Sequence, residues 1–178
     1  MAPMGEIPGW LLLLALAGGF CLFVASFKYS SVAGKLLDKL ESFRTGNDNL
    51  SDESCQYICN TQVAGFEKLA TEQPDPTLLK ILQAIRYHCA ERQKASQRLN
   101  AELKEISFFN FVRCSLSIPA VGNQASPKTK TEFRALVRQA EDDLATVIDA
   151  GQSIRFLNDV SKRRLFANLK ATSSEHAR

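Results

Sequence analysis

The sequence predicts an all-α protein: one N-terminal transmembrane helix followed by an elongated antiparallel three- or four-helix coiled-coil-like bundle. Three observations lead there. Residues 7–27 contain no Lys, Arg, Asp or Glu. Beyond them, apolar residues recur at alternating steps of four and three over long stretches, the period of one helical face. No run of alternating apolar and polar residues bounded by hairpin turns interrupts that pattern, which argues against strands.

After a short tail at 1–6, the apolar block includes Trp10, Leu11, Leu12, Leu13, Leu14, Phe20, Leu22, Val24 and Phe27. At ~1.5 Å rise per residue, 7–27 spans about 30 Å, the thickness of a bilayer core. Trp10 sits at one edge, where an indole keeps its N–H among headgroups. A cleaved secretory signal is the alternative, with Val24-Ala25-Ser26 as its cleavage site. A signal-anchor is favoured over it, because no basic residue precedes the block and the run exceeds an ordinary signal core. Glu6 is the one charge before the block, whereas Lys28, Lys35, Lys39 and Arg44 follow it. The positive-inside bias then puts the N-terminus outside and the C-terminal domain in the cytoplasm.

Residues 28–170 read as the bundle. Val32, Leu36, Leu40 and Phe43 continue a helix out of the anchor over 28–45, with Thr45-Gly46-Asn47-Asp48 expected to reverse the chain. Ser51 is positioned to cap a second helix over 51–72, with Asp52 and Glu53 at the positive end of its dipole. Its inner face carries Cys55, Cys59, Val63, Phe66 and Ala70, and Gln73-Pro74 ends it. Asp75 as cap and Pro76 at the first position open a third helix. Its seam runs Leu78, Leu82, Ile85, Cys89, Arg92, Ser96, Leu99, Leu103 and Ile106, and the helix is expected to continue over 76–117, about 60 Å. Arg92, at a seam position, is expected to extend its charge to water. Residues 118–130 form the loop. Thr129 and Glu132 make a capping box for a fourth helix over 130–169. Its seam steps from Phe133 through Val137, Ala140, Leu144, Val147, Gly151, Ile154, Asn158, Ser161 and Leu165, and is expected to decay after Ile154, where Leu157, Val160, Phe166 and Leu169 shift the apolar stripe sideways. Residues 171–178 read as a frayed tail.

Composition narrows the function. Among 178 residues, 22 Lys and Arg oppose 19 Asp and Glu, a net charge of +3. That balance disfavours nucleic acid as a partner. Two histidines, His88 and His176, are too few for a hydrolase triad or a His-rich metal cage, and nine glycines form no phosphate loop before a helix. No catalytic residue, cofactor motif or enzymatic activity is expected.

The candidate sites are therefore sparse. Cys55, Cys59, His88 and Cys89 are the one metal-ligating possibility, because cysteines four apart face the same way on a helix and a neighbouring helix brings the other two. Core packing is the competing and favoured role. In a cytoplasmic domain the thiols are expected to be free; in an exported one, Cys55, Cys59, Cys89 and Cys114 would form staples. Phe108, Phe111 and Val112 wrap their helix with apolar surface, either as a covered crossing point or as a docking patch for a protein or a membrane. Lys162, Arg163, Arg164 and Lys170 are the concentrated basic stretch, a candidate contact for anionic lipid if the last helix returns to the bilayer. The expected function is a membrane-anchored structural or adaptor protein, with membrane and protein partners or self-association through helical seams. The alternative is an exported, disulfide-stapled binder or inhibitor.

Overall fold

The computed structural model describes residues 8–46, 50–72, 75–119 and 126–175. Every regular element among them is helical: α1 (Gly9–Gly46), α2 (Asp52–Tyr57), a π-helical turn (Ile58–Gln62), α3 (Val63–Glu72), α4 (Pro76–Glu105), α5 (Phe108–Ser115) and α6 (Lys130–Glu175). The tail at 1–6, Asn47, Asp48, Gln73, Pro74, residues 120–125 of the expected loop and His176 lie outside the described residues.

The capping signals act as their chemistry dictates. The Ser51 hydroxyl accepts from the Ser54 amide. Asp75 Oδ1 accepts from the amides of Thr77 and Leu78, with Pro76 in the first turn. At the start of α6, Thr129 Oγ1 accepts from the Glu132 amide while Glu132 Oε2 accepts from the amides of Thr129 and Lys128. α6 runs 46 residues, to Glu175, beyond the expected end at 169, a length of about 70 Å.

The long third helix of the sequence reading is instead two. α4 ends at Glu105, and Ile106 leaves helical geometry with ψ 77°. Ser107, extended at φ −123° and ψ 154°, caps a new helix by accepting from the Asn110 amide. Asn110 Nδ2 donates back to the Glu105 carbonyl, which also accepts from the Ser107 amide. A hydroxyl at the N-cap competes with helix continuation, and the apolar seam had masked that local signal.

α4 and α6 pack antiparallel. Arg98 meets Asp143, Arg92 reaches the Val147 carbonyl, and Asp75 at the start of α4 meets Arg164 late in α6. The third member of the body is built from α1, α2 and α3 in one line. Tyr29 donates to the Ile106 carbonyl, Leu50 receives Arg92, Cys59 is bonded to Cys89, and Ala70 shares a core with Leu78. Partner numbers fall steadily from 106 to 78 as the chain advances from 29 to 70. The expected reversal at 45–48 is therefore corrected: the helices on either side of it continue in the same direction.

α1 is long and apolar enough to cross a membrane, with a mean hydropathy of 2.3 over its most apolar stretch and none of that stretch buried. All residues from Pro8 to Phe23 are exposed. Burial begins at Val24 and Ala25, then recurs at Tyr29, Val32, Ala33, Leu36, Leu40 and Phe43, one continuous face of the same helix.

Two cores divide the body. Ala33, Leu36, Leu99, Ile106, Phe111, Phe133, Val137 and Leu144 form one, next to where α1 emerges. Val63, Ala70, Leu78, Leu82, Ile85 and Ile154 form the other, at the opposite end.

Candidate functional site

At the waist between the two cores, Arg92 is only 4% exposed. Its Nη1 donates to the Val147 carbonyl at 2.6 Å, and its Nη2 donates to the Leu50 carbonyl at 2.7 Å and to Asp52 Oδ1 at 2.8 Å. Rather than extending to water as its seam position predicts, this charge pins all three lines of helix together. Gly151 makes room for it, since a Cβ there would fall 2.5 Å from Arg92 Nη1. Glycine at this seam position is thus explained by a guanidinium passing against the backbone.

Beside Arg92, a polar groove of about 600 Å³ is lined by Cys55, Gln56, Asn60, Gln93, Ser96 and the Cys59–Cys89 pair, among others. Cys59 lies in the π-helical turn, where the Val63 amide bonds back to the Ile58 carbonyl. Its sulfur is joined to that of Cys89 across 6.2 Å between Cα atoms. The expectation of free thiols is corrected for this pair, and so is the four-cysteine staple: Cys21, Cys55 and Cys114 are unbonded. The less favoured reading of Cys55, Cys59, His88 and Cys89 as metal ligands finds no support in this geometry. Two of these sulfurs are consumed by the bond, His88 packs edge-on to Tyr87, and no cluster of three potential ligands occurs among the described residues. Burial pushes the Cys55 thiol above its ordinary range despite the nearby Arg92 cation, so it is not a poised nucleophile.

Toward the apolar segment of α1, Phe111 is buried and stacks edge-on to Phe133, with Tyr29 against both. Phe108 is half-buried against Tyr29, and Val112 is half-buried on the same core. Of the apolar patch expected at this helix, those three are thus core residues. Phe109, by contrast, is 75% exposed.

At the far end, α3 and α6 leave an apolar cavity of about 360 Å³ lined by Gln62, Phe66, Leu69, Lys162, Leu165, Phe166 and Leu169. Phe166 is 73% exposed. Gln62 Oε1 is shielded from water and has no hydrogen-bond partner. The seam of α6 does not decay here. Asn158 and Ser161 carry it inward, Ser161 wholly buried and donating to the Leu157 carbonyl. That leaves Phe166 and Leu169 outside, which the sequence reading took for the drifting stripe.

The basic stretch does not act as a unit. Arg164 is bonded to Asp75 Oδ2, which also accepts from Asn168, and together these hold the Asp75 carboxyl well below its usual range. Lys162 lines the apolar cavity, while Arg163 and Lys170 are exposed. All four lie roughly 45 Å or more along α6 from the Tyr29 end, at the opposite end of the body from the apolar segment of α1.

The chain matches no family model, no curated protein and no solved structure.

Proposed function

We propose that the chain is a membrane-anchored helical adaptor. The apolar half of α1 crosses the bilayer, and the remaining helices form an elongated antiparallel coiled-coil-like bundle that holds a protein-binding groove away from it. The observation that carries this reading is α1 itself, a helix of 38 residues whose first part is bare and whose second part is a core element. Such a helix couples the body to the anchor as a strut rather than a tether.

The groove between α3 and α6 is the contact offered to a partner. Its lining of Phe66, Leu69, Leu165, Phe166 and Leu169, with Lys162 at the edge, suits an amphipathic helix carrying acidic residues beside its apolar stripe. The test is to purify the full-length chain and its Phe166→Asp variant in detergent and quantify what accompanies each. Phe166 is exposed, so the variant keeps its fold. A protein retained by the parent and by Phe109→Asp, but lost from Phe166→Asp, supports the groove. An identical set from all three removes it, and a shift from dimer to monomer on Phe166→Asp makes the occupant a second copy.

The Cys59–Cys89 bond favours a second reading, an exported binder or inhibitor on the non-cytoplasmic side, since disulfides persist in oxidising compartments. Lys28, Lys35, Lys39 and Arg44 favour the cytoplasmic orientation. Counting thiols in the denatured, unreduced protein from its native membrane separates them: three reactive thiols support the oxidising side, and five support the cytoplasm.

A further inference from the structure

We propose that α5 and the turn after it lie on the bilayer as an interfacial foot, with Phe109, Leu116 and Ile118 entering the headgroup–acyl boundary of an anionic membrane. The inference rests on the reading of α1 as the membrane anchor and adds a second, independent contact to it.

Depth is the first argument. The buried face of α1 starts at Val24 and Ala25, inside the apolar segment, and the next turn puts Tyr29 against Phe108 and Phe111 of α5. α5 thus flanks the last turn of the apolar segment. When that segment fills a bilayer core of about 30 Å, α5 sits where headgroups are.

Amphipathicity is the second. One face of α5 is committed to protein, with Phe111, Arg113 and Cys114 buried. The other presents Phe109 at 75% exposure and Leu116, one heptad on, at 65%. The end of the helix is built to keep this face open. Ser117 adopts the left-handed region at φ 56°, and the amides of Ser117 and Ile118 bond to the carbonyls of Cys114 and Arg113. In this kind of helix stop the residue in the Ile118 position commonly packs back on the helix. Ile118 instead stays 49% exposed. Arg113 holds the turn by donating to the carbonyls of Ile118 and Pro127.

Charge is the third. Lys28 beside Tyr29, Lys104 in the last turn of α4, and Lys128 next to Pro127 are all exposed around this end. An apolar wedge ringed by cations suits anionic headgroups.

The chain has one tryptophan, Trp10, which makes the test clean. The full-length protein is reconstituted in vesicles of mixed zwitterionic and anionic lipid carrying acyl-chain quenchers at shallow or deep positions. In the parent, Trp10 reports the anchor. In Trp10→Phe/Phe109→Trp, the new indole reports α5, and in Trp10→Phe/Phe166→Trp it reports the far end. The expected result is quenching of Trp10, strong shallow and weaker deep quenching at position 109, and none at 166. A quenched Trp10 with an unquenched indole at 109 overturns the foot while leaving the anchor standing; a partner protein on α5 would give that result. An unquenched Trp10 overturns the anchor and the foot together. Quenching at 166 equal to that at 109 overturns the end-on placement of the body.

Discussion

The two ends of the helical body solve the same packing problem with different materials. Near the apolar segment of α1, Tyr29, Phe108, Phe111 and Phe133 close the core with rings in edge-on and tilted contact. At the far end the core is aliphatic, α3 is 10 residues long, and the α6 seam continues through Asn158 and Ser161. Small polar residues there bury little apolar area. That end is instead held by a covalent link, Cys59–Cys89, and by the Asp75–Arg164–Asn168 cluster. The difference separates a well-filled core, which needs no tie, from a thin one that is tied and left with an open groove.

The largest expected effect tests the aromatic end. Phe133 is fully buried, and Phe133→Ala should cost about 3–5 kcal/mol, read by denaturant unfolding followed by circular dichroism. A cost below that of an ordinary surface change would mean the rings are not what closes this core.

Next comes the tie. Removing the bond with Cys59→Ser/Cys89→Ser releases a loop of sequence separation 30, worth about 3.5 kcal/mol on the chain-entropy account. Hydrogen exchange should localise the loss: amides of α3 and the first turns of α4 exchange faster, while those around Phe133 keep their protection. Uniform acceleration would show the two ends to be a single cooperative unit.

The waist joins the ends. Arg92→Ala should cost about 2 kcal/mol, because the Leu50 and Val147 carbonyls lose their donor and a gap opens against Gly151. Gly151→Ala, which pushes the guanidinium aside, should lose part of the same energy, and the double variant should cost little more than Arg92→Ala alone. Additive costs would separate the two residues.

The smallest effect belongs to Glu102. Burial first, then the Asp143 carboxylate, pushes its carboxyl from 4.5 up to about 7, against the opposing pull of Arg98. A raised acid favours the folded state below its unfolded pKa, and that advantage is lost as pH rises through the folded one. Thermal stability should therefore fall between about pH 4.5 and 7 from this group. Glu102→Gln should recover about 1 kcal/mol at pH 8 and nothing at pH 4.5, the gain limited by an amide that is still poorly partnered. Asp75 works in the opposite sense at lower pH, since its depressed pKa adds stability that is lost only as pH falls through it.

Much of this was legible without coordinates. The bare apolar block, the caps at Ser51, Asp75-Pro76 and Thr129-Glu132, and the inward faces from Leu78 to Ile106 and from Phe133 to Leu144 all follow from interactions spanning three or four residues. Capping bonds and helical periodicity are local, so the sequence alone determines them. The cap at Ser107 was equally local but was hidden by an apolar seam that ran across it.

What only the tertiary structure decided involves partners far apart in the chain. Arg92 reads as a solvated seam residue until Leu50 and Val147 arrive, 42 and 55 positions away. Cys59 reads as a core residue, with metal binding the lesser alternative, until the π-helical turn brings it to Cys89. Whether α2 and α3 fold back on α1 or extend it depends on which apolar face of α4 each covers, and several pairings satisfy the same period. The choice among them belongs to the packed whole: to the rings that fit around Tyr29 and the one glycine that admits a buried guanidinium.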